Sequence, residues 1–405
     1  MREMKCYGFS KLWNFQGYVA EEVRNEEDGD VHVHLRRDER CVLKCPDCGQ
    51  RMGLNRVEEN VARDLLCLEK RTWVHYPSIQ GRCSGCKKYH TVRPAEIDER
   101  RQATKRLMMM VHTLSIHMPL SAVGDYFRIS VATAYRWDRA VLEAILPAPD
   151  LDNLRVLLID EKSVRKRHGY VTLVMNGDTG ELLYMAEGKK KTSLSGFFDQ
   201  LTEEQKAKIE AVCIDRAGAY QRVIQEEVPH AAIVFDKFHL MMNLNEVVDE
   251  VRREEYRKAS EEDKKVMKGQ RYNLLRHEEN LPLWCRQSFR KLLDLNEDLN
   301  ITYMLKEAFG LVWFYKQTKR ARDYLDTWVQ WVEQTSIEPL LRFAGGVKRD
   351  CESIVSFCKH QITNGPLEGF NNLVARVMHK ACGVRNIHYL FLKLRQISLP
   401  NPLQL

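Results

Sequence analysis

No uninterrupted apolar stretch in the 405 residues reaches the roughly 18 that a membrane span requires. The N-terminus has no apolar run set between a basic start and a small-residue cleavage site. These absences argue against a membrane partner and a secretory route, and lead to the expectation of a cytoplasmic, nucleoid-associated protein. Low-complexity segments and fixed-period repeats are also missing, which sets aside repeat architectures. Charge of one sign is not strongly in excess: 63 basic residues face 56 acidic ones, for a formal charge of +7 and a pI near 8.7. That balance favours nucleic acid as a partner without proving it.

What is present is enough for several cores, with 44% hydrophobic residues and 9% aromatics. Twelve cysteines in a reducing compartment point away from a disulfide framework, so clustered ones suggest metal and scattered ones suggest buried thiols. Seven of them crowd the first hundred residues. Cys45-Pro-Asp-Cys48 and Cys83-Ser-Gly-Cys86 form two Cys-x-x-Cys knuckles, a spacing that lets two turns offer four thiolates to one tetrahedral Zn²⁺. Thr72 to Tyr76 is predicted to be a strand leading toward the second knuckle, as in a zinc ribbon. Cys41, Cys67, His75 and His90 are alternative ligands, although an ordinary thiol or imidazole is the favoured reading for each. A closed four-ligand site serves folding and docking, because it leaves no position open for chemistry.

The segment from Met118 to Ala140 predicts two helices joined at Arg128-Ile129, with Ser130 as N-cap of the second. Such a pair suits a helix-turn-helix that places a recognition helix in the major groove of DNA. Thr133, Tyr135, Arg136 and Arg139 are its candidate DNA contacts. A plain helical hairpin is the competing reading.

Beyond Pro147 and Pro149 the pattern changes to short apolar runs. Val156 to Asp160, Tyr170 to Met175 and Glu181 to Ala186 predict three neighbouring strands. A helix, the strand Ala211 to Asp215, a second helix and the strand Ala231 to Asp236 follow, an order that matches a ribonuclease H-like core. From Phe238 to His360 glycine is scarce and strand-like alternation is absent, which predicts a long helical insertion. A final helix should start after Asn364-Gly365-Pro366 and run to about Lys380, with Glu368 in its first turn. The fold class expected is therefore α+β and multidomain. Its parts are a zinc-ribbon DNA-binding module (1–95), a helix-turn-helix (96–150), the first part of a ribonuclease H-like core (151–240), a helical insertion (241–360) and the rest of the core with a third acid (361–405).

Asp160 and Asp215 each end an apolar strand, so both carboxylates would emerge at corresponding ends of a sheet. A single acid there usually caps the next helix. Three acids from separate elements can instead hold a pair of hard, oxygen-ligated Mg²⁺ (or Mn²⁺) ions of the kind that cleaves phosphodiesters. Glu161 is left out, since strand alternation turns its side chain away from that of Asp160. Lys189, Lys190 and Lys191, with Arg376, His379, Lys380 and Arg385, offer positive charge near the third acid. Trp313, Phe314, Tyr315, Trp328 and Trp331 fall at helical spacing and are expected to be core.

The runs Leu158-Ile159-Asp160-Glu161, Cys213-Ile214-Asp215-Arg216 through Tyr220, Val234-Phe235-Asp236-Lys237-Phe238-His239 and Thr363-Asn364-Gly365-Pro366-Leu367-Glu368-Gly369-Phe370-Asn371-Asn372 resemble the DDE transposases of bacterial insertion sequences, subfamily ISL-three. The resemblance covers nearly the whole chain. It implies Asp160, Asp215 and Glu368 as the catalytic, Mg²⁺-binding triad, with Asp236 and His239 beside it. It also implies binding to the terminal inverted repeats, Mg²⁺-dependent strand cleavage and transfer to target DNA, and a homodimer on double-stranded DNA. A transposase-derived regulator that binds DNA without catalysis is the alternative, and a hydrolytic nuclease of the same core is a second.

Overall fold

The computed structural model describes residues 13–27, 29–165, 169–216, 218–380 and 386–399. Its chain divides into two compact units, Met1–Pro147 with Arg376–Gln396 and Asn401–Leu405, and Ala148–Ala375 with Ile397–Pro400.

The first unit is built on a sheet whose strands are β1 (Tyr18–Asn25), β2 (Val31–Arg37), β3 (Met52–Cys67), β4 (Lys70–Cys83), β5 (Tyr89–Val92), β6 (Ile97–Asp98) and β7 (Ala103–Thr104). They lie in the order β1-β2-β4-β3-β7-β6, with β5 on β4. Strict alternation in β2 sends Val31, Val33 and Leu35 into a core with Ala62, Val74 and Tyr76, and leaves His32 and His34 on the other face. The strand predicted over Thr72 to Tyr76 is part of β4, which is far longer and pairs with β3 along almost its whole length. Leu68 and Glu69 form the two-residue turn between them, both at positive φ (50° and 63°). Such turns normally take Asn or Gly, which explains why the hairpin leaves so little trace in the sequence.

Helices α1 (Lys105–His117), α2 (Leu120–Phe127) and α3 (Val131–Ile145) follow. As predicted, Ser130 caps α3, its Oγ accepting from Thr133 N at 3.1 Å. Arg128 closes α2 in the left-handed conformation. The turn is tight enough that a Cβ on Gly124 would stand 2.9 Å from Ile129 O.

The last helix among the described residues, Ile387–Ser398, which no sequence pattern assigned, supplies further residues to this unit. Its Tyr389 and Lys393 reach Asp138 of α3, and Gln396 Nε2 is 2.9 Å from His112 Nε2. Asp138 is completely buried and also accepts from His112 Nδ1 (2.7 Å) and Ser115 Oγ (2.9 Å). Burial pushes the Asp138 pKa up, but the His112 and Tyr389 hydrogen bonds and the Lys393 ammonium outweigh it and hold the carboxyl below its ordinary value.

The second unit holds a five-stranded sheet of β8 (Val156–Arg165), β9 (Gly169–Asn176), β10 (Leu182–Glu187), β11 (Ala211–Ile214) and β12 (Ala232–Phe235). The order is β10-β9-β8-β11-β12, with β8 to β10 antiparallel and β11 parallel to both its neighbours. Helices α4 (Lys191–Phe198), α5 (Glu203–Ala207) and α6 (Gly218–Glu227) connect the strands. The sequence of three strands, helix, strand, helix, strand is the one the apolar runs predict, with α5 as a short addition. From α7 (Lys237–Lys258) onward every regular element among the described residues is helical: α8 (Glu261–Met267), α9 (Arg271–Leu274), α10 (Leu283–Leu295), α11 (Glu297–Gly310), α12 (Thr318–Glu333), α13 (Glu338–Arg349) and α14 (Cys351–His360). Helices α15 (Gly365–Lys380) and α16 (Ile387–Ser398) are the last elements among the described residues.

The aromatics of the helical region divide. Trp328 is fully buried and donates Nε1–H to Leu305 O at 2.8 Å, as a core tryptophan should. Phe314 is 80% exposed and Trp331 42%, so these two depart from the core expected of them. Phe314 lies in a single 3₁₀ turn, Leu311–Phe314, where the three-residue period replaces the helical one on which the expectation rested.

Candidate active site

Strand register brings the acids together. Leu158 of β8 pairs with Cys213 of β11, so Asp160 and Asp215 each lie two residues further toward the same end. Ile214 pairs with Phe235 of β12, which puts Asp236 level with Asp215. Three parallel strands side by side thus deliver three carboxylates to one edge.

Each carboxylate is held from a different direction. Asp160 accepts from Glu161 N (2.7 Å) and, through Oδ2, from Asn371 Nδ2 (2.7 Å). Asp215 Oδ1 accepts from Arg216 N at 2.6 Å. Asp236 caps α7, accepts from Asn364 N at 3.0 Å and lies 3.0 Å from His239 Nδ1. His239 Nε2 reaches back to within 4.0 Å of Asp215 Oδ2.

Glu368 enters from the first turn of α15. One carboxylate oxygen of Glu368, one of Asp236 and a ring nitrogen of His239 lie within 4.8 Å of one another. Glu368 and Asn371 are three positions apart and share a helix face, so the same face that presents Glu368 also binds Asp160. The α15 start is anchored by Asn364, whose Nδ2 donates to Ile159 O at 3.1 Å.

A cavity of about 520 Å³ opens at this edge, lined by Asp160, Asp215 and His239 together with Glu161, Lys189, Arg216 and Tyr220. Glu161, left out of the site on strand alternation, is the register partner of Thr172 and lines the same cavity as Asp160. Lys189 of the predicted lysine run is at the cavity, its ammonium 4.5 Å from the Tyr170 ring centroid. Arg216 is ion-paired with Asp350.

The electrostatics are those of an under-neutralised acid cluster. Burial raises the pKa of Asp160, and burial together with the Asp236 charge raises that of Glu368. The Asp236 hydrogen bond and the charges of Asp215 and Asp160 lift His239 to about 9, against its own burial. Four carboxylates therefore share one imidazolium. Hard oxygen donors with excess negative charge fit a divalent cation of the Mg²⁺ class.

The chain aligns with a DDE transposase family model of the ISL-three type, described as "Transposase", over residues 157–394, a span that includes every one of these acids. It is 30% identical to the transposase for insertion sequence element IS1001 of Bordetella parapertussis over 95% of this chain and 96% of that protein. It is also 28% identical over 58% of both chains to the transposase for insertion sequence element IS1557 of Mycobacterium tuberculosis. The chain belongs to the DDE transposases of the ISL-three family. Members of this family cut and transfer DNA and normally use a divalent metal, and the acid cluster suits that chemistry. No helix among the described residues is long and apolar enough to cross a membrane.

The N-terminal region of this transposase carries the four-cysteine cluster. Cys45 and Cys48 stand on a turn closed by Gly49 at positive φ, and Cys83 and Cys86 on the turn between β4 and β5. Cys48 Sγ is 3.3 Å from Cys83 Sγ, and Cys45 Sγ is 3.8 Å from Cys86 Sγ. Four thiolates on a tetrahedral zinc would be separated by about 3.8 Å, given a Zn–S bond near 2.3 Å. Burial raises the Cys83 thiol, but the amide hydrogen bonds of Cys86 and Gly85 and the Cys48 thiol bring it down to about 6, within the range of a ready thiolate. The cluster is compatible with zinc in a ribbon-like setting. Of the alternative ligands, His90 lies 3.7 Å from Cys86 Sγ, while His75 faces other histidines, Cys41 is exposed and Cys67 packs on the sheet core.

On α3, Arg136 is exposed, while Thr133 and Arg139 are half-buried and bonded within the helix, Thr133 to Ser130 and Arg139 to Glu143. Tyr135 sits differently from its expected open presentation: its ring meets that of Tyr389 edge-on at 4.5 Å, because α16 covers that flank of α3. Arg376 and His379 are exposed, Lys380 donates to Ile116 O at 2.9 Å, and Arg385 lies outside the described residues. The residues that sequence reasoning missed are Asn364 and Asn371. Both were in plain view in the run ending Asn371-Asn372, and the three-residue step from Glu368 to Asn371 was the available signal.

Proposed function

We propose that this transposase binds the terminal inverted repeats of its insertion sequence and catalyses Mg²⁺-dependent strand cleavage and strand transfer, with Asp160, Asp215 and Glu368 as the metal-binding triad. The observation that carries the reading is the shared α15 face, on which Glu368 meets the Asp236–His239 pair while Asn371 bonds Asp160. The order and directions of the five strands support a ribonuclease H-like core. The α2–α3 pair, with its αL turn and capped second helix, supports a helix-turn-helix in which Thr133, Arg136 and Arg139 contact DNA, with Tyr135 fixing the helix instead.

Asp160, Asp215 and Glu368 would hold Mg²⁺ or Mn²⁺, which would supply activation of the attacking oxygen and stabilisation of the leaving one. The protein's own groups prepare that event. Asn371 and the Glu161 amide aim the two oxygens of Asp160, and His239 tempers the repulsion among the acids. Lys189 gives the cavity positive charge for a phosphodiester, while the Arg216 guanidinium at its wall is held by Asp350. Asp236 positions His239 and the start of α15, and its carboxylate also stands close enough to Glu368 and His239 to share a metal ion with them. Two element ends must be processed together, so the working form is a homodimer on DNA.

The test is cleavage of a duplex bearing the element's own terminal repeat, with wild type compared with Asp160→Asn, Asp215→Asn and Glu368→Gln. Loss of cleavage in each variant with DNA binding retained supports the triad, and activity surviving any one substitution removes that residue from it. Tight binding without wild-type cleavage favours a DNA-binding regulator. Cleavage without strand-transfer products in a plasmid assay favours a hydrolytic nuclease.

A further inference from the structure

Arg216 follows Asp215 directly, and its backbone N–H is the donor that Asp215 Oδ1 accepts at 2.6 Å. Its side chain runs to the junction of α13 and α14. There Asp350 Oδ2 accepts from Arg216 Nε at 2.9 Å and from a terminal guanidinium nitrogen as well. The two side chains are 20% and 13% exposed, so the pair is sheltered. Gly346, one turn before Asp350 in α13, makes the room: a Cβ there would stand 2.6 Å from Arg216 Nη2. Glycine is unfavourable inside a helix, and the guanidinium laid against this one accounts for its presence. Arg216 also lines the acid cavity with Asp160, Glu161 and Asp215, and a neighbouring cavity of about 340 Å³ with Asp350.

We propose that Asp350 is a positioning residue for the metal site: by holding the Arg216 guanidinium against α13, it keeps that cation off Asp160, Glu161 and Asp215 and leaves their oxygens to a divalent ion. The inference rests on the reading of Asp160, Asp215 and Glu368 as metal ligands. A guanidinium stays charged throughout the pH range of a folded protein, and its planar fork of donors matches a carboxylate. Released from Asp350, it sits one residue from Asp215 on a side chain already at the cavity wall. A carboxylate gripped by both arms of that fork no longer has free oxygens to offer a metal. Asp350 wins the guanidinium because one of its oxygens accepts two N–H groups at a seat that Gly346 keeps open. Asp160, in contrast, is already engaged by the Glu161 amide and Asn371, and Asp215 by the Arg216 amide. The helical insertion thereby contributes a carboxylate that sets the charge of the acid cluster without joining it.

The experiment measures Mn²⁺ binding to the full-length protein without DNA, from the loss of the free-ion signal in electron paramagnetic resonance. It compares wild type, Asp350→Asn, Arg216→Gln and the double variant. Asp350→Asn frees the guanidinium and should weaken binding by about tenfold or more, whereas Arg216→Gln removes the competing cation and should bind no more weakly than wild type. The double variant should return to within about threefold of wild type, a coupling that a purely structural ion pair would not show. Gly346→Ala reaches the same end with both charges intact, because its Cβ meets the far end of the Arg216 side chain. Its loss of Mn²⁺ should likewise be reversed by Arg216→Gln, which keeps the test decisive if Asp350→Asn fails to fold. Asp215→Asn reports on the acid cluster itself: Mn²⁺ binding unchanged in that variant removes the metal reading, and this proposal with it. Binding lost in Asp215→Asn but unchanged in Asp350→Asn, or a double variant no better than Asp350→Asn, overturns this proposal alone.

Discussion

Asn371 offers a sharp test of how the acid cluster is assembled. Its Nδ2 donates to Asp160 Oδ2 at 2.7 Å, and the residue is 8% exposed, so this is a sheltered hydrogen bond to a carboxylate. Bonds of that kind contribute about 1.5–3 kcal/mol. At about 1.4 kcal/mol per factor of ten, Asn371→Ala should weaken the Mg²⁺ affinity of the site by roughly 10- to 100-fold. The cause would be a carboxylate free to rotate out of the geometry shared with Asp215. Cleavage of a terminal-repeat duplex should therefore require a correspondingly higher Mg²⁺ concentration at half-maximal rate. Saturating Mg²⁺ should restore most of the wild-type rate, because no ligand has been removed. Asp160→Asn, in contrast, should not be rescued at any Mg²⁺ concentration. An Asn371→Ala enzyme with a wild-type Mg²⁺ requirement would refute the idea that α15 organises Asp160, and would leave the shared helix face without a role.

Four further outcomes can be checked on the purified protein. Gly124→Ala gains about 1 kcal/mol of helix propensity but sets a Cβ 2.9 Å from the Ile129 carbonyl, a backbone clash costing about 1–3 kcal/mol. Hydrogen exchange in α2 and α3 should speed up, and slower exchange would show that propensity wins. Glu69→Gly relieves a left-handed residue in the β3–β4 turn and should stabilise that hairpin by about 0.5–1 kcal/mol after the entropy cost of glycine, read as slower exchange of its amides. Lys393→Met leaves the Asp138 carboxylate buried without its cation and should cost about 3–5 kcal/mol in denaturant unfolding. Because the folded pKa of Asp138 is depressed, its stabilisation is fully present above the unfolded value of about 3.9 and fades as pH falls through the lower folded value. Asp138→Asn should accordingly lie below wild type at neutral pH and converge with it in acid.

Local chemistry was legible in the sequence, and long-range register was not. The apolar runs before Asp160 and Asp215 announce strands because four consecutive buried residues need little context. The Asn364-Gly365-Pro366 turn announces α15 because proline suits a first helical turn. That Asp160 and Asp215 come level depends on which residues pair across β8 and β11, a fact no single run contains. The hairpin of β3 and β4 was nearly invisible because Leu68 and Glu69 lack the glycine or asparagine that marks such a turn. Helix α16 escaped notice although Tyr389, Leu390, Leu392 and Leu394 are all buried, because polar residues that would normally be exposed, Lys393 and Gln396, are buried beside them and blur the amphipathic pattern.

The long helical stretch between β12 and α15 separates Asp215 from Glu368 by about 150 residues. At about 5–20 residues per second on the ribosome, roughly ten to thirty seconds pass between the emergence of the second acid and that of Glu368. During that interval Asp160 has no Asn371 to hold it and Asp236 no Asn364 amide to bind. If the proposed triad carries the chemistry, a nascent chain is harmless to the genome that encodes it until α15 docks, and a prematurely terminated product lacking α15 should be unable to cut.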